Sequence, residues 1–376
     1  MRRLKVLLVT RVEREHFGGV QLSTLVMAKG LQKAGHRVYV MCNSDHSFVH
    51  EFADQGIMVV SAPLKLYLAS LVTDIRILRR FIAQEKIDVV HFQYAFSVFM
   101  SPFCRGVRNS AGVGTVWTCR GIRKGAYLLM GPFANWFVDV VIGNCRQERD
   151  KLIERGVSSS KVAFAYNPPT IGIPEDTSRD SELLRELDID PTDAVIGTAS
   201  RLSPERGVEY FIQAAAKVLT HYSPVTFVIA GSGPSEQKLK HLAESLEIGP
   251  QIRFVGTRRD MARVYSILDI FVNPIPASYA VAGTGNTTAE AMVCGRPVVT
   301  TDAGGIAEMV DDGMTGIVVA SRDADALATA CLRLLNDQKT MEAMGKAGRA
   351  RILNKFTTRH LVEELERCYA QALAYT

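Results

Sequence analysis

Through the first 165 positions the apolar residues come in short, nearly continuous runs. Between the runs they recur every three or four residues. LKVLLVT (4–10), HRVYVMC (36–42), IMVVSAP (57–63), IDVVHFQ (87–93), GTVWTCR (114–120) and DVVIGNC (139–145) read as strands. Leu22, Leu25, Val26 and Leu31 give helical spacing over 20–34, closed by Gly35, and a longer helix runs through Asp74–Gln84. Strands that are apolar throughout, separated by helices, predict a parallel sheet covered on both faces.

The pattern breaks at 166–193, a stretch rich in Pro, Asp, Ser and Thr that reads as a linker followed by a small helix. It then restarts. AVIGTAS, TFVIAG, IRFVG, DIFVNPI, RPVVTTD and GIVV are strand-like, with helices expected at 207–220, 234–246, 260–268, 287–294 and 304–310. Residues 338–376 read as helical, interrupted by Gly345, Gly348 and Asn354–Lys355 before a final amphipathic helix from 357. The chain is therefore expected to be α/β, with two Rossmann-like doubly wound domains at 1–168 and 169–356. The helix 357–376 is expected to pack back on the first.

A length of 376 residues suits two cores, and 47% apolar with 22% charged residues is ordinary for a globular protein. The apolar start of MRRLKVLLVT is soon followed by Arg11, Glu13, Arg14 and Glu15, so it reads as a buried strand rather than a leader. The expected compartment is the cytoplasm, with peripheral contact at the inner membrane face as an extension. Seven cysteines without paired spacing read as buried thiols, not as a disulfide framework or zinc site. Residues 1–170 hold 23 basic and 12 acidic residues, while the remainder holds 21 and 27. A basic first half favours an anionic partner such as a phosphorylated acceptor or an acidic membrane face; a solvated basic surface is the plainer alternative.

Three segments carry chemistry. A Gly-rich loop with Gly283, Thr284, Gly285 and Asn286 runs into a helix near Thr287, and helix N-termini attract anions. Glu290, inside that helix, suits either a capping role or ribose hydroxyls. Arg201 and Arg206, in ASRLSPERG, lie on a loop between strand and helix, and guanidinium forks suit diphosphate oxygens. Gly18–Gly19–Val20–Gln21 joins the first strand to the first helix, either as a tight turn or as a close approach to phosphate.

Together these segments resemble the retaining nucleotide-sugar glycosyltransferases of the GT-B fold, family 4 (glycosyl transferases group 1). The resemblance runs through DVVH at 88–91 and the 139–168 run. It continues through ASRLSPERG, VIAGSGP and FVG to EAMVCGRPVVTTDAGGIAEMV. It implies a hexosyltransferase whose co-substrate is a nucleotide-diphosphate sugar, UDP by default, held in a cleft between the domains. No cofactor or metal is required. Arg201 and Arg206 match the family's diphosphate-binding Arg and Lys. The donor would also meet Gly19, Val20, Gly231, Val255, Gly285, Asn286, Thr287, Thr288 and Glu290, with Glu290 on the ribose and the base near Arg253–Gly256.

Two positions depart from the family pattern. Its first sugar-contacting Glu stands eight residues before the second, where this chain has Ala282, and the His that often follows the fifth strand is here Arg120. An unusual donor sugar or a catalytically impaired nucleotide-sugar-binding protein would both account for this. The implied chemistry is front-face attack by an acceptor hydroxyl in glycan, glycolipid or small-molecule glycosylation. Charge growing on the β-phosphate would be met by Arg201, Arg206 and the Asn286–Thr287 helix start. The acceptor, anionic or lipid-linked, is expected on the basic half near Arg11, Arg14, His16, His91, Arg120 and Arg123. Arg76, Arg79 and Arg80 form a basic helix face that suits an anionic membrane or merely solvent.

An epimerase of the same fold is the rival class, although its cleft acids and bases are not evident. A dehydrogenase would need G-x-G-x-x-G after the first strand, and TRVEREHFGGVQ stands there instead. Asp188–Asp190 lies in the linker helix rather than in a metal-binding context. Nucleic-acid binding rests on charge alone.

Overall fold

The computed structural model describes residues 2–11, 19–43, 48–65, 68–107, 112–121, 127–277 and 285–375. The chain forms two compact units, Met1–Pro168 with Thr357–Thr376, and Pro169–Phe356.

In the first unit the strands are β1 (Lys5–Val9), β2 (Arg37–Cys42), β3 (Met58–Ser61), β4 (Val89–Phe92), β5 (Gly114–Cys119), β6 (Val140–Gly143) and β7 (Val162–Phe164). They pair in parallel in the order β3-β2-β1-β4-β5-β6-β7, with Val6 in register with Val38 and Val89. Helices α1 (Gly19–Lys33), α2 (Phe48–Ala53), α3 (Leu68–Glu85), α4 (Tyr127–Phe137) and α5 (Arg146–Glu154) connect them, with a 3-10 stretch at Ala95–Cys104. Side chains alternate across the pleat. Val6, Leu8, Val38 and Val40 bury on one face with Met27 and Leu31 of α1 and with Leu361, Leu365 and Tyr369 of the C-terminal helix Thr358–Ala374. Leu7, Val9, Tyr39 and Trp117 bury on the other with Leu78, Ile82 and Met100. The hydropathy pattern did not mark β7, whose three residues are only half-buried.

In the second unit β8 (Ala194–Ala199), β9 (Val225–Ala230), β10 (Ile252–Gly256), β11 (Ile270–Asn273), β12 (Val298–Thr301) and β13 (Gly316–Val319) form a parallel sheet in the order β10-β9-β8-β11-β12-β13. Its helices are α6 (Ser181–Glu186), α7 (Val208–Leu219), α8 (Glu236–Ser245), α9 (Met261–Ile267), α10 (Asn286–Val293), α11 (Ile306–Met309), α12 (Ala324–Leu335) and α13 (Gln338–Lys355). The interruption expected at Gly345 and Gly348 does not occur. Helix α13 runs through both, because small residues let it lie against the backbone of Gly295 and the side chain of Met292. Helix α12 was also unmarked. Asp323 caps it by accepting from the Ala326 amide at 2.8 Å, and Leu327, Cys331 and Leu334 are buried.

Candidate functional site

In each sheet the strand order reverses once, between β1 and β4 in the first unit and between β8 and β11 in the second. Loops leaving the carboxyl ends of such a strand pair diverge, and open α/β sheets bind ligands in that crevice. Arg201 and Arg206 follow β8, while the chain leaving β11 returns as the N-terminus of α10, so the second switch point gathers both candidate anion-binding features.

The loop after β8 is stiff. The Leu202 amide donates to the Ser232 carbonyl at 2.9 Å, Leu202 is fully buried, and Pro204–Arg206 makes one 3-10 turn. Arg201 is exposed. The Arg206 Nε is sealed from water with no acceptor among the described residues. Burial pushes its guanidinium below its ordinary pKa range; Glu205 opposes this shift and Arg201 reinforces it. An arginine in this state is preorganised for an anion.

Gly285 forms the N-cap of α10 at φ +57°, a left-handed conformation that suits glycine. Asn286 and Thr287 are half-exposed in the first turn of α10. Thr288 points into the interior. It is fully buried, its hydroxyl accepts from Asn273 Nδ2 at 2.8 Å, and its amide donates to the Gly285 carbonyl.

Glu290 is not a capping residue, since it lies beyond the first turn and α10 has no side-chain cap. It is 5% exposed; Oε2 accepts from the Tyr265 hydroxyl at 2.8 Å and Oε1 from the Thr170 hydroxyl. Burial raises its pKa against these hydrogen bonds. Thr170 and Tyr265 were not singled out from the sequence, and nothing in their local pattern marks them.

Gly231 and Val255 sit at the ends of β9 and β10. Gly231 adopts φ +128°, and a Cβ there would lie 1.9 Å from the Ser200 carbonyl oxygen. The Arg253 guanidinium turns away to the carbonyls of Leu187, Pro250 and Asp188, so that side chain is structural. Asp188 and Asp190 follow α6 rather than lying within it, and Asp190 accepts from the amide and hydroxyl of Thr192. Among the described residues no cluster of three His, Cys, Asp or Glu side chains suits a metal ion.

In the first unit, Gly19 and Val20 open α1. The Arg11 guanidinium lies 6.0 Å from the centroid of the Tyr94 ring, and Gln21 donates to the Arg11 carbonyl at 2.9 Å. Arg120 follows β5; its Nη2 donates to Gln93 Oε1 at 2.9 Å and its Nη1 to Asn167 Oδ1 at 3.1 Å. His91 is an interior residue. It is fully buried, Nδ1 meets the Tyr369 hydroxyl at 2.9 Å, Nε2 meets the Thr118 hydroxyl at 2.7 Å, and burial lowers its pKa to about 3. Arg14, His16, Arg123 and Ala282 lie outside the described residues.

Two family models cover most of the chain: "Glycosyl transferase 4-like domain" matches residues 18–168 and "Glycosyl transferases group 1" matches 180–351. The chain is 28% identical over 313 residues to a GDP-mannose-dependent alpha-(1-6)-phosphatidylinositol monomannoside mannosyltransferase of Mycolicibacterium smegmatis, covering 79% of this chain and 80% of that protein. It is 34% identical over 192 residues to a monoacylated-substrate mannosyltransferase of Corynebacterium glutamicum, about half the length of each. Among solved structures, Anabaena Alr3699/HepE in complex with UDP and glucose aligns with a TM-score of 0.81 at 20% identity over 97% of this chain and 99% of that one. Sucrose-phosphate synthase of Thermosynechococcus elongatus aligns with a TM-score of 0.81 at 19% identity over the whole of both chains. At these identities the structural likeness gives the fold.

Proposed function

Because the chain belongs to the group 1, family 4 glycosyltransferases of the GT-B fold, we propose that it transfers a sugar from a nucleoside-diphosphate donor to an acceptor hydroxyl with retention of configuration. The observation that carries this reading is the sealed Nε of Arg206, without an acceptor among the described residues, beside exposed Arg201 at the second unit's switch point. A diphosphate supplies the missing acceptor. In the reaction the bond between the anomeric carbon and the β-phosphate oxygen breaks, and the acceptor oxygen bonds to that carbon from the same face. The acceptor proton passes to a phosphate oxygen, so no further base is needed. Arg201, Arg206 and the first turn of α10 at Asn286–Thr287 stabilise the departing diphosphate.

Gly19 and Val20 are the first-unit residues assigned to the donor. Ribose is assigned to Glu290, where a ribose hydroxyl would take the place of the Thr170 hydroxyl on Oε1. The base is UDP by family habit; GDP is the competitor, since mannosyltransferase relatives are named for GDP-mannose. The acceptor is an anionic or lipid-linked hydroxyl compound on the basic first unit, a class supported by the phosphatidylinositol substrates in the relatives' names. Contact with a membrane surface would use the exposed Arg76, Arg79 and Arg80 of α3.

Equilibrium binding of UDP, GDP and a panel of their sugars, followed by transfer and donor-hydrolysis assays, tests the reading. Saturable binding with turnover is expected. Tight binding with neither transfer nor hydrolysis would leave a nucleotide-sugar-binding protein instead, the alternative that Ala282 keeps in view.

A further inference from the structure

We infer that the first unit carries an oxyanion subsite built on Arg120, which reads a carboxylate or phosphate on one of the reactants. This rests on the proposed glycosyl transfer for what the reactants are. Three strand ends converge here: Arg120 follows β5, Gln93 follows β4, and Asn167 lies just beyond β7. Gln93 is 1% exposed and Asn167 5% exposed. Each gives the guanidinium only a neutral amide oxygen. The Nε is sealed from water and has no acceptor among the described residues. No described carboxylate forms an ion pair with Arg120, and burial lowers its pKa to about 10.

A structural arginine looks different in this protein. Arg105 pairs with buried Asp139 at 3.0 Å, and Arg258 pairs with Asp260 and Glu186. Arg296, also half-buried, directs Nε, Nη1 and Nη2 to the carbonyls of Cys294, Leu268 and Thr177. Among the described residues Arg120 donates to two amide oxygens, which hold its plane, and its Nε has no acceptor. A half-buried cation with a sealed Nε and no opposite charge among the described residues is costly unless a ligand completes it. Its place on the carboxyl edge of a parallel sheet is where such folds meet ligands. Two sources fit the same chemistry: an acidic sugar on the donor, or a phosphorylated or carboxylated acceptor.

The test uses the full chain and its Arg120→Gln and Arg120→Lys variants in equilibrium binding and transfer. Donor probes are UDP-glucose against UDP-glucuronate, acceptor probes are myo-inositol against myo-inositol 1-phosphate, and inorganic phosphate is the generic anion. UDP and GDP alone report on the donor nucleotide. Wild type should prefer the anionic member of one pair by about tenfold, and the pair shows whether the anion belongs to donor or acceptor. Arg120→Gln should erase that preference and weaken phosphate binding, and Arg120→Lys should restore part of both, while nucleotide affinity is unchanged. If wild type binds nucleotide yet prefers neither anionic probe, or if Arg120→Gln keeps the preference, the subsite is overturned. If no nucleotide binds, the transferase reading fails while the inositol and phosphate probes still decide the subsite. Because the wild-type preference is itself a required result, an Arg120→Gln chain that does not fold leaves the test standing.

Discussion

At Arg206 a guanidinium is held where water does not reach its Nε and no described group accepts from it. Replacing it with alanine is expected to raise the barrier by about 2–4 kcal/mol, which steady-state transfer kinetics would register as a kcat loss of about 30-fold to 1,000-fold. Turnover at the wild-type rate would remove Arg206 from the mechanism. His91 belongs to stability instead. Its folded-state pKa lies near 3 against an ordinary 6.5, so between these values the unfolded chain binds a proton that the folded chain refuses. Stability therefore rises with pH across this window and is lost as pH falls from 6.5 toward 3, by about 1.4 kcal/mol per pH unit. Thermal melts from pH 7 to pH 4 should show a steeper decline for wild type than for His91→Gln; parallel curves would contradict the assignment. Loop position and charge type made Arg206 a candidate from the sequence, and the structure gives its place beside β8. The His91 role was not legible in the sequence, because it depends on Tyr369, 278 residues away along the chain.

Elements with a clean period were legible, and those held by contacts were not. The strand runs of both halves and the helices between them follow from hydropathy alone. Helix α13 shows the limit: its glycines suggest breaks in isolation, yet against Gly295 and Met292 they permit close packing. The turn after β9 shows the converse, a glycine whose necessity is visible only once Ser200 is in place. Gly231→Ala would put a Cβ 1.9 Å from the Ser200 carbonyl oxygen at φ +128°. A loss on the order of 3 kcal/mol is expected, together with weaker nucleotide binding, because the displaced loop carries Arg201 and Arg206. Melting and UDP titration of the variant would check both. A variant as stable as wild type would mean the loop relaxes freely.

For the molecule as a whole, the C-terminal helix is expected to be indispensable to the first unit. Leu361, Val362, Leu365, Cys368, Tyr369 and Ala372 are buried in the same cluster as Val6, Leu8 and Val38. Each large apolar side chain contributes about 1.5–3 kcal/mol, so together they rival the net stability of a typical domain, about 5–15 kcal/mol. Truncation after Phe356 should give a chain that aggregates or lacks a cooperative transition by circular dichroism; a soluble, cooperatively melting product would refute this. The basic balance of the first half carries the membrane expectation. No described helix is long and apolar enough to cross a bilayer. Sedimentation with anionic vesicles at low salt, lost at high salt, is the expected outcome. No association at low salt would leave the arginines of α3 as a solvated face.

The sequence by itself determined the α/β class, the alternation of elements in both halves, the loops bearing Arg201, Arg206 and Asn286, and the family. Each of these is local, carried by periodicity, by a glycine beside a helix start, or by a motif in order. Tertiary structure alone decided that Thr288 and His91 are interior, that Glu290 is held by Thr170 and Tyr265, and that Arg120 lies between Gln93 and Asn167. Those facts depend on pairs of residues far apart in sequence, and a buried charge or hydroxyl is defined by what reaches it through the fold.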